Sequence, residues 1–195
     1  MLPYPNQALQ QHLFVLARSD TPREAAAAAS AQLLDGIRRD EMAPYYRLLL
    51  DDAALRRVVP QDKGLLEELQ RKNDAEFARL DEAQRQAEES EGDLELHTVL
   101  KQRAAYMARI GDKPRALAAH QEALEKATGL GSKIDLTLTK IRLGLFFGDA
   151  ELTQASMASA AQLIEEGGDW DRRNRLTAYR AVYLASCLLY TSDAA

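Results

Sequence analysis

Apolar residues recur every three or four positions along most of the chain, the period of an amphipathic helix. Leu9, Leu13, Val15, Leu16 and Ala17 make the first stripe, within residues 5–18. Ser19-Asp20-Thr21-Pro22 then interrupts it, which predicts a new helix capped by Asp20 or Thr21 with Pro22 at its first position. The next stretch carries five consecutive alanines, Ala25 to Ala29, ahead of Leu33, Leu34 and Ile37. Such a run either lets a neighbouring helix approach closely or simply reflects high helix propensity. Pro44 disfavours helix at Ala43 and can open a third helix, which sets Tyr45 and Tyr46 on its first turn before Leu48, Leu49 and Leu50. Core packing is the stronger reading of the two tyrosines, and a partner-facing aromatic pair the weaker.

Residues 62–91 differ in composition. Leu66, Leu69, Phe77, Leu80, Ala83 and Ala87 form a narrow apolar stripe in an otherwise charged segment. Glu67 with Arg71, Glu68 with Lys72 and Asp81 with Arg85 are candidate i,i+4 pairs with the acid first, the favourable order. A helix of roughly 30 residues and about 45 Å is expected, packed along a neighbour like an arm or a coiled-coil strand. Asn73 stands where the stripe calls for an apolar residue, which argues against a long homodimeric zipper. The segment ends at Ser90-Glu91-Gly92-Asp93.

Beyond this point the chain shows internal similarity. Gly111-Asp112 recurs as Gly148-Asp149, 37 residues later, and the same offset relates Tyr106 to Leu143, Ile110 to Phe147, His120 to Met157 and Ala123 to Ala160. A period near ~34 residues with small residues at close helix contacts is the signature of tetratricopeptide units. Gly111 and Gly148 would end the first helix of each hairpin, with Tyr106, Ala116, Ala123 and Ala160 in the repeat packing. The second copy is degenerate, because Thr153 replaces Ala116. Residues 128–133 read as the linker between the two hairpins. The fold class is therefore all-α, a tetratricopeptide-like helical superhelix (an α-solenoid) preceded by a long charged helix.

The bulk properties fit this picture. The 195 residues are 46% hydrophobic and 28% charged, with formal net charge −5, so no global basic field points to nucleic acid or an anionic membrane. The single cysteine, Cys187, excludes an internal disulfide framework and fits a reducing compartment. Met1-Leu2-Pro3-Tyr4-Pro5 carries no secretory-signal pattern, and no apolar run approaches the ~18 residues of a membrane span.

Catalytic chemistry is hard to find. Gly129-Leu130-Gly131-Ser132-Lys133 lacks the spacing of a phosphate loop. His12, His97 and His120 are scattered without metal-ligand spacing, and His120 takes a hairpin-packing position. Neither Cys187 nor the Glu165-Glu166 pair belongs to a nucleophile or acid–base constellation. No catalytic residue, cofactor or metal is expected, and an enzyme is the least favoured class.

In Gly167-Gly168-Asp169-Trp170-Asp171, the glycines end one helix, Asp169 caps the next, and Asp171 suits the positive end of its dipole. Trp170 is expected to pack in the groove between repeats, with a hot-spot anchor for a partner as the sharper alternative. Arg172, Arg173 and Arg175 are expected to form salt bridges within the stack in preference to binding nucleic acid.

The run Ile164-Glu165-Glu166-Gly167-Gly168-Asp169-Trp170-Asp171-Arg172-Arg173-Asn174-Arg175-Leu176 resembles the non-ATPase regulatory subunit 6 family, PCI-domain subunits of the 26S proteasome regulatory-particle lid. Met42-Ala43-Pro44-Tyr45-Tyr46, the helix with Asn73 and Phe77-Ala78-Arg79-Leu80-Asp81-Glu82, and Tyr106-Met107-Ala108-Arg109-Ile110-Gly111-Asp112-Lys113 resemble it in the same order. The tryptophan run favours this family over its signalosome relative. The resemblance implies a superhelix of paired helices followed by a PCI module, and no catalytic residues. It implies a scaffold supporting ATP-dependent degradation of ubiquitinated proteins by contacts with other lid and base subunits, in cytoplasm and nucleus. Expected segments are 1–60, an N-terminal helical region; 61–93, the charged helix; 94–186, the repeats; and 187–195, a non-native tail, with the PCI half absent. Tyr45, Tyr46, Trp170, Arg172, Arg173 and Arg175 are the expected contact or scaffold residues. The alternatives are a signalosome or initiation-factor PCI subunit, or a free tetratricopeptide adaptor for peptide tails.

Overall fold

The computed structural model describes residues 4–90 and 92–192; Met1, Leu2, Pro3 and Glu91 lie outside them, as do the last three residues of the expected 187–195 tail. Among the described residues there are nine α-helices, one 3₁₀ turn and no strand. The helices are α1 (Ala8–Ala17), α2 (Arg23–Arg39), α3 (Ala43–Asp51), α4 (Lys63–Glu89), α5 (Asp93–Ile110), α6 (Lys113–Glu125), α7 (Leu130–Phe147), α8 (Ala150–Gly167) and α9 (Trp170–Ser192), with the 3₁₀ turn at Leu55–Arg57. The architecture is that of an α-solenoid. The chain divides into two compact units, Leu2–Ala119 and His120–Ala195, so the boundary falls within α6.

In the Leu2–Ala119 unit, α1 packs on α2, α3 on α4, and α4 along α5. Leu9, Leu33, Ile37, Met42, Tyr45, Tyr46, Leu49, Leu69, Leu80 and Leu100 are buried. Only Ala29 of the alanine run is buried, so helix propensity rather than close approach accounts for the run. The expected cap at Asp20 or Thr21 is corrected: α2 starts at Arg23 behind Pro22, with no side-chain cap. Thr21 instead donates its hydroxyl to the Val15 carbonyl at 2.6 Å, closing the α1–α2 turn, and Asp20 pairs with Arg18.

Helix α4 is 27 residues long, and the Asp62 carboxylate caps it by accepting from Leu65 N–H at 2.9 Å. Of the three expected i,i+4 pairs, Glu68–Lys72 forms at 2.7 Å. Arg85 pairs instead with Glu82 and Glu89, while Asp81 reaches across to Arg103 on α5. Asn73 is buried between α4, α5 and the α2–α3 turn.

In the His120–Ala195 unit, α7, α8 and α9 pack on one another around Ile134, Leu138, Ile141, Met157, Ala160, Ile164 and Leu176. The expected linker at 128–133 is shorter than that. Gly129 is the N-cap of α7 and accepts from the backbone N–H of both Ser132 and Lys133, so Gly131 to Lys133 are already helical.

Candidate protein-interaction surface

The 37-residue repeat is visible in the backbone. Gly111 (φ 71°, ψ 30°) ends α5 and Gly148 (φ 63°, ψ 25°) ends α7, both in the left-handed region that glycine reaches without strain. Asp112 N–H donates to the Met107 carbonyl and Asp149 N–H to the Gly144 carbonyl, the same closure of the last turn. Each aspartate then caps the following helix, accepting from Arg115 N–H at 3.2 Å and from Leu152 N–H at 2.9 Å. Beyond this shared backbone the two glycines differ. A Cβ on Gly111 would stand 2.7 Å from the Tyr45 Cβ, whereas a Cβ on Gly148 would meet no non-neighbouring atom within 4 Å, and Gly148 sits at the surface as a turn and not as a packing residue.

Tyr106, Ala116, Ala123 and Ala160 are buried, as is His120. The Thr153 substitution is compensated rather than disruptive. Its hydroxyl donates to the Asp149 carbonyl at 2.6 Å, and it faces Gly144, where a Cβ would come within 2.3 Å of its oxygen. The first copy has Met107 and Ala116 at these two positions, so the large and small partners are exchanged.

Tyr45 and Tyr46 are in the core, 2% and 0% exposed, which separates them from any surface role in this structure. Gln10 donates to the Tyr45 hydroxyl at 2.9 Å, yet burial pushes that phenol up to about 12. The Tyr46 hydroxyl donates to the Pro60 carbonyl at 2.6 Å and accepts from Asp62 N–H at 2.8 Å, tying α3 to the entry of α4.

Trp170 corrects a sequence expectation: it is 78% exposed, not packed in an inter-repeat groove. At the start of α9 the helix axis is set by the residues beside it. Asp169 accepts from Arg172 N–H at 2.8 Å, which holds its carboxyl below the usual range. Arg172 lays its guanidinium over Gly131 and donates to both oxygens of Asp135, at 3.1 and 2.8 Å. Arg175 donates to Asp171 and lies 3.7 Å from Asp135. Salt bridges within the stack therefore hold for Arg172 and Arg175. Arg173 and Arg180, two helical turns apart with Thr177 between them, are exposed and have no side-chain partner among the described residues.

Asp135 was not singled out in the sequence, although a signal exists: it lies one repeat length before Arg172, with opposite charge. Glu41 was missed as well. It adopts φ 56°, its carbonyl accepts from Asn73 at 2.8 Å, and its carboxylate pairs with Arg109 at 2.5 Å. Arg109 in turn stacks over the Tyr106 ring at 4.8 Å, and Asn73 donates to the Tyr106 hydroxyl at 2.9 Å.

Among the described residues no group of three or more His, Cys, Asp or Glu side chains could hold a metal ion, and no helix is long and apolar enough to cross a membrane. The start of α9 thus carries an exposed tryptophan and the exposed Arg173 and Arg180, on a helix tied to α7 by the Arg172–Asp135 ion pair.

The sequence profile of the family described as 26S proteasome subunit RPN7 matches residues 62–195. The chain is 35% identical over 182 residues to the 26S proteasome non-ATPase regulatory subunit 6 homolog of Arabidopsis thaliana, covering 93% of this chain and 46% of that protein. It is 33% identical over 201 residues to the 26S proteasome regulatory subunit RPN7 of Saccharomyces cerevisiae (94% and 46%), and 33% identical over 183 residues to the non-ATPase regulatory subunit 6 of Caenorhabditis elegans (94% and 44%). The chain thus spans about half the length of the curated relatives it matches. With more than half of its residues inside the family profile, including the repeats and the ion-paired start of α9, the chain belongs to the RPN7 family of 26S proteasome subunits.

Proposed function

We propose that this chain is the helical-repeat portion of a non-catalytic scaffold subunit of the proteasome regulatory-particle lid. The observation that carries the proposal is the family match across 62–195, which includes both hairpins and the Trp170 turn. The relatives are named as regulatory or non-ATPase subunits. In this reading the protein supports ATP-dependent degradation of ubiquitinated proteins by holding other lid and base subunits in place, in cytoplasm and nucleus. In the same reading, the half of the relatives' length that this chain does not span supplies a PCI module that anchors the subunit. No nucleic acid or membrane partner is needed.

The packing supports a scaffold role. Polar side chains that could have served chemistry are spent on holding helices together: Asn73 and Glu41 in one unit, Asp135 and Arg172 in the other. The test is affinity purification of the tagged full gene product from its own cells, under conditions that keep the proteasome intact. Lid and base subunits are expected in stoichiometric yield. Recovery of the product free of them, or within a signalosome or initiation-factor complex, overturns the assignment.

A further inference from the structure

The turn between α1 and α2 holds a pairing found nowhere else in the chain. Of the six prolines, only Pro22 follows a serine or threonine, and that residue is Thr21. Residues 18–22 lie between the two helices; Ser19, Asp20 and Pro22 are exposed and Thr21 is half-buried. Pro22 holds φ −56° and ψ 141°, an extended conformation set in part by its own ring. A Thr-Pro pair in an extended surface segment is the form in which proline-directed protein kinases bind their substrates.

Thr21 also stands between two helix ends of opposite polarity. Its hydroxyl donates to the Val15 carbonyl at 2.6 Å. Val15 belongs to the last turn of α1, where carbonyls lack a partner within the helix and form its negative end. On the other side α2 opens without a side-chain cap. Ala26 N–H is bonded to the Pro22 carbonyl, which leaves the N–H groups of Arg23, Glu24 and Ala25 without a partner inside the helix, at its positive end. The neighbouring charges cancel, Arg18 and Arg23 against Asp20 and Glu24, so the helix ends decide where an anion on Thr21 goes.

We propose that Thr21 is a phosphorylation site for a proline-directed serine/threonine kinase, and that the phosphate moves residue 21 from the end of α1 to the start of α2. In the transfer, the Thr21 oxygen bonds to the terminal phosphorus of a nucleoside triphosphate. The bond from that phosphorus to the bridging oxygen breaks, the hydroxyl proton passes to the kinase's base, and the nucleoside diphosphate leaves. The ester, with a second pKa of about 6, only accepts hydrogen bonds. The donation to Val15 is lost, the α1 carbonyls repel the phosphate, and the open N–H groups of α2 donate to it. The change stays at one end of the helix pair. A Cβ on Gly36 would collide with Leu9 Cδ2, so α1 packs closely on α2 at its first turn, away from Thr21. The last turn of α1 loosens while the first stays docked. This inference does not draw on the subunit reading.

The full chain and a synthetic peptide of residues 16–27 are incubated with a proline-directed serine/threonine kinase and magnesium ATP, and phosphate is located by tandem mass spectrometry. Phosphate is expected on Thr21 in both, and is expected to be lost from the chain with Pro22→Ala. In the phosphorylated chain the Glu24 and Ala25 amide protons are expected to move downfield in NMR spectra and to titrate with the phosphate near its second pKa of about 6. The Leu16 and Ala17 amides are expected to exchange with solvent at least tenfold faster, with Leu33 and Ile37 of α2 unchanged. Thr21→Val, which has neither the donor nor the phosphate, is expected to speed exchange at Leu16 and Ala17 without the Glu24 and Ala25 shifts. No phosphate on Thr21 of the chain, whether or not the peptide takes it, overturns the inference. So does equal transfer to Pro22→Ala, or a phosphorylated chain with unshifted Glu24 and Ala25 amides. None of these results bears on whether the gene product enters the proteasome, so the two proposals fail separately.

Discussion

Asn73 shows what a single polar residue does in an apolar stripe. It is 3% exposed, and its amide donates to two acceptors, the Glu41 carbonyl and the Tyr106 hydroxyl. Glu41 sits at φ 56°, a conformation that costs a non-glycine residue about 1–2 kcal/mol, and the hydrogen bond from Asn73 to its carbonyl helps to hold it there. Asn73→Leu restores the stripe and fills the volume but strands both acceptors, so it is expected to destabilise the chain by about 2–4 kcal/mol in urea unfolding. A neutral or stabilising effect would show that the network adds nothing to volume alone. The two turn glycines offer a cleaner comparison. Gly148→Ala meets open space and pays only for the left-handed backbone, about 1 kcal/mol. Gly111→Ala pays that and a 2.7 Å contact with the Tyr45 Cβ, for a total of about 2–4 kcal/mol. Equal losses for the two would mean that the Tyr45 contact relaxes freely.

At the scale of elements, the helices and their turns were legible in the sequence because they depend on local signals. Apolar residues at a period of 3.6, Asp at N-caps and Gly at C-caps act within a few residues of themselves. Gly111-Asp112 and Gly148-Asp149 carried the hairpins for that reason. Contacts between elements were not legible in the same way. Asp81 had Arg85 at a good spacing on its own helix, yet pairs with Arg103, because α4 packs along α5 and brings a second cation within reach. Trp170 was misplaced since nothing local distinguishes a tryptophan under a helix from one on top of it. The start of α9 is decided by Asp135 on α7, a residue with no local motif. Arg172 and Asp135 are each less than a quarter exposed and meet through two hydrogen bonds, a geometry that makes their pairing count. A double-mutant cycle of Arg172→Ala and Asp135→Ala is expected to give a coupling of roughly 1–2 kcal/mol, weaker at high salt. A coupling indistinguishable from zero would leave the axis of α9 to Leu176 and the apolar core alone.

For the whole molecule, the polar chemistry of the core is distributed unevenly. Three tyrosines with raised phenols, Tyr45, Tyr46 and Tyr106, all lie in the Leu2–Ala119 unit, and in each the leading cause is burial. A phenol whose folded value lies above its unfolded value is held neutral by the fold, so its contribution is complete below the unfolded value. It is lost as pH rises, because the unfolded chain releases its proton first. For Tyr45 the window runs from 10.0 to about 12, and across it the folded state loses about 2–3 kcal/mol relative to the unfolded chain. Alkaline unfolding is therefore expected to begin in the Leu2–Ala119 unit, whereas the three tyrosines contribute nothing to any loss of stability on the acid side. Tyr45→Phe removes the ionisable group but also the hydrogen bond from Gln10, so it is expected to be slightly less stable than the parent at neutral pH. Above pH 10 the order should reverse, with the variant retaining its helical circular dichroism to higher pH and the parent developing tyrosinate absorbance as it unfolds. Parallel alkaline titrations of the two proteins decide the matter: if they lose structure at the same pH, the burial of Tyr45 is not what limits this unit in base.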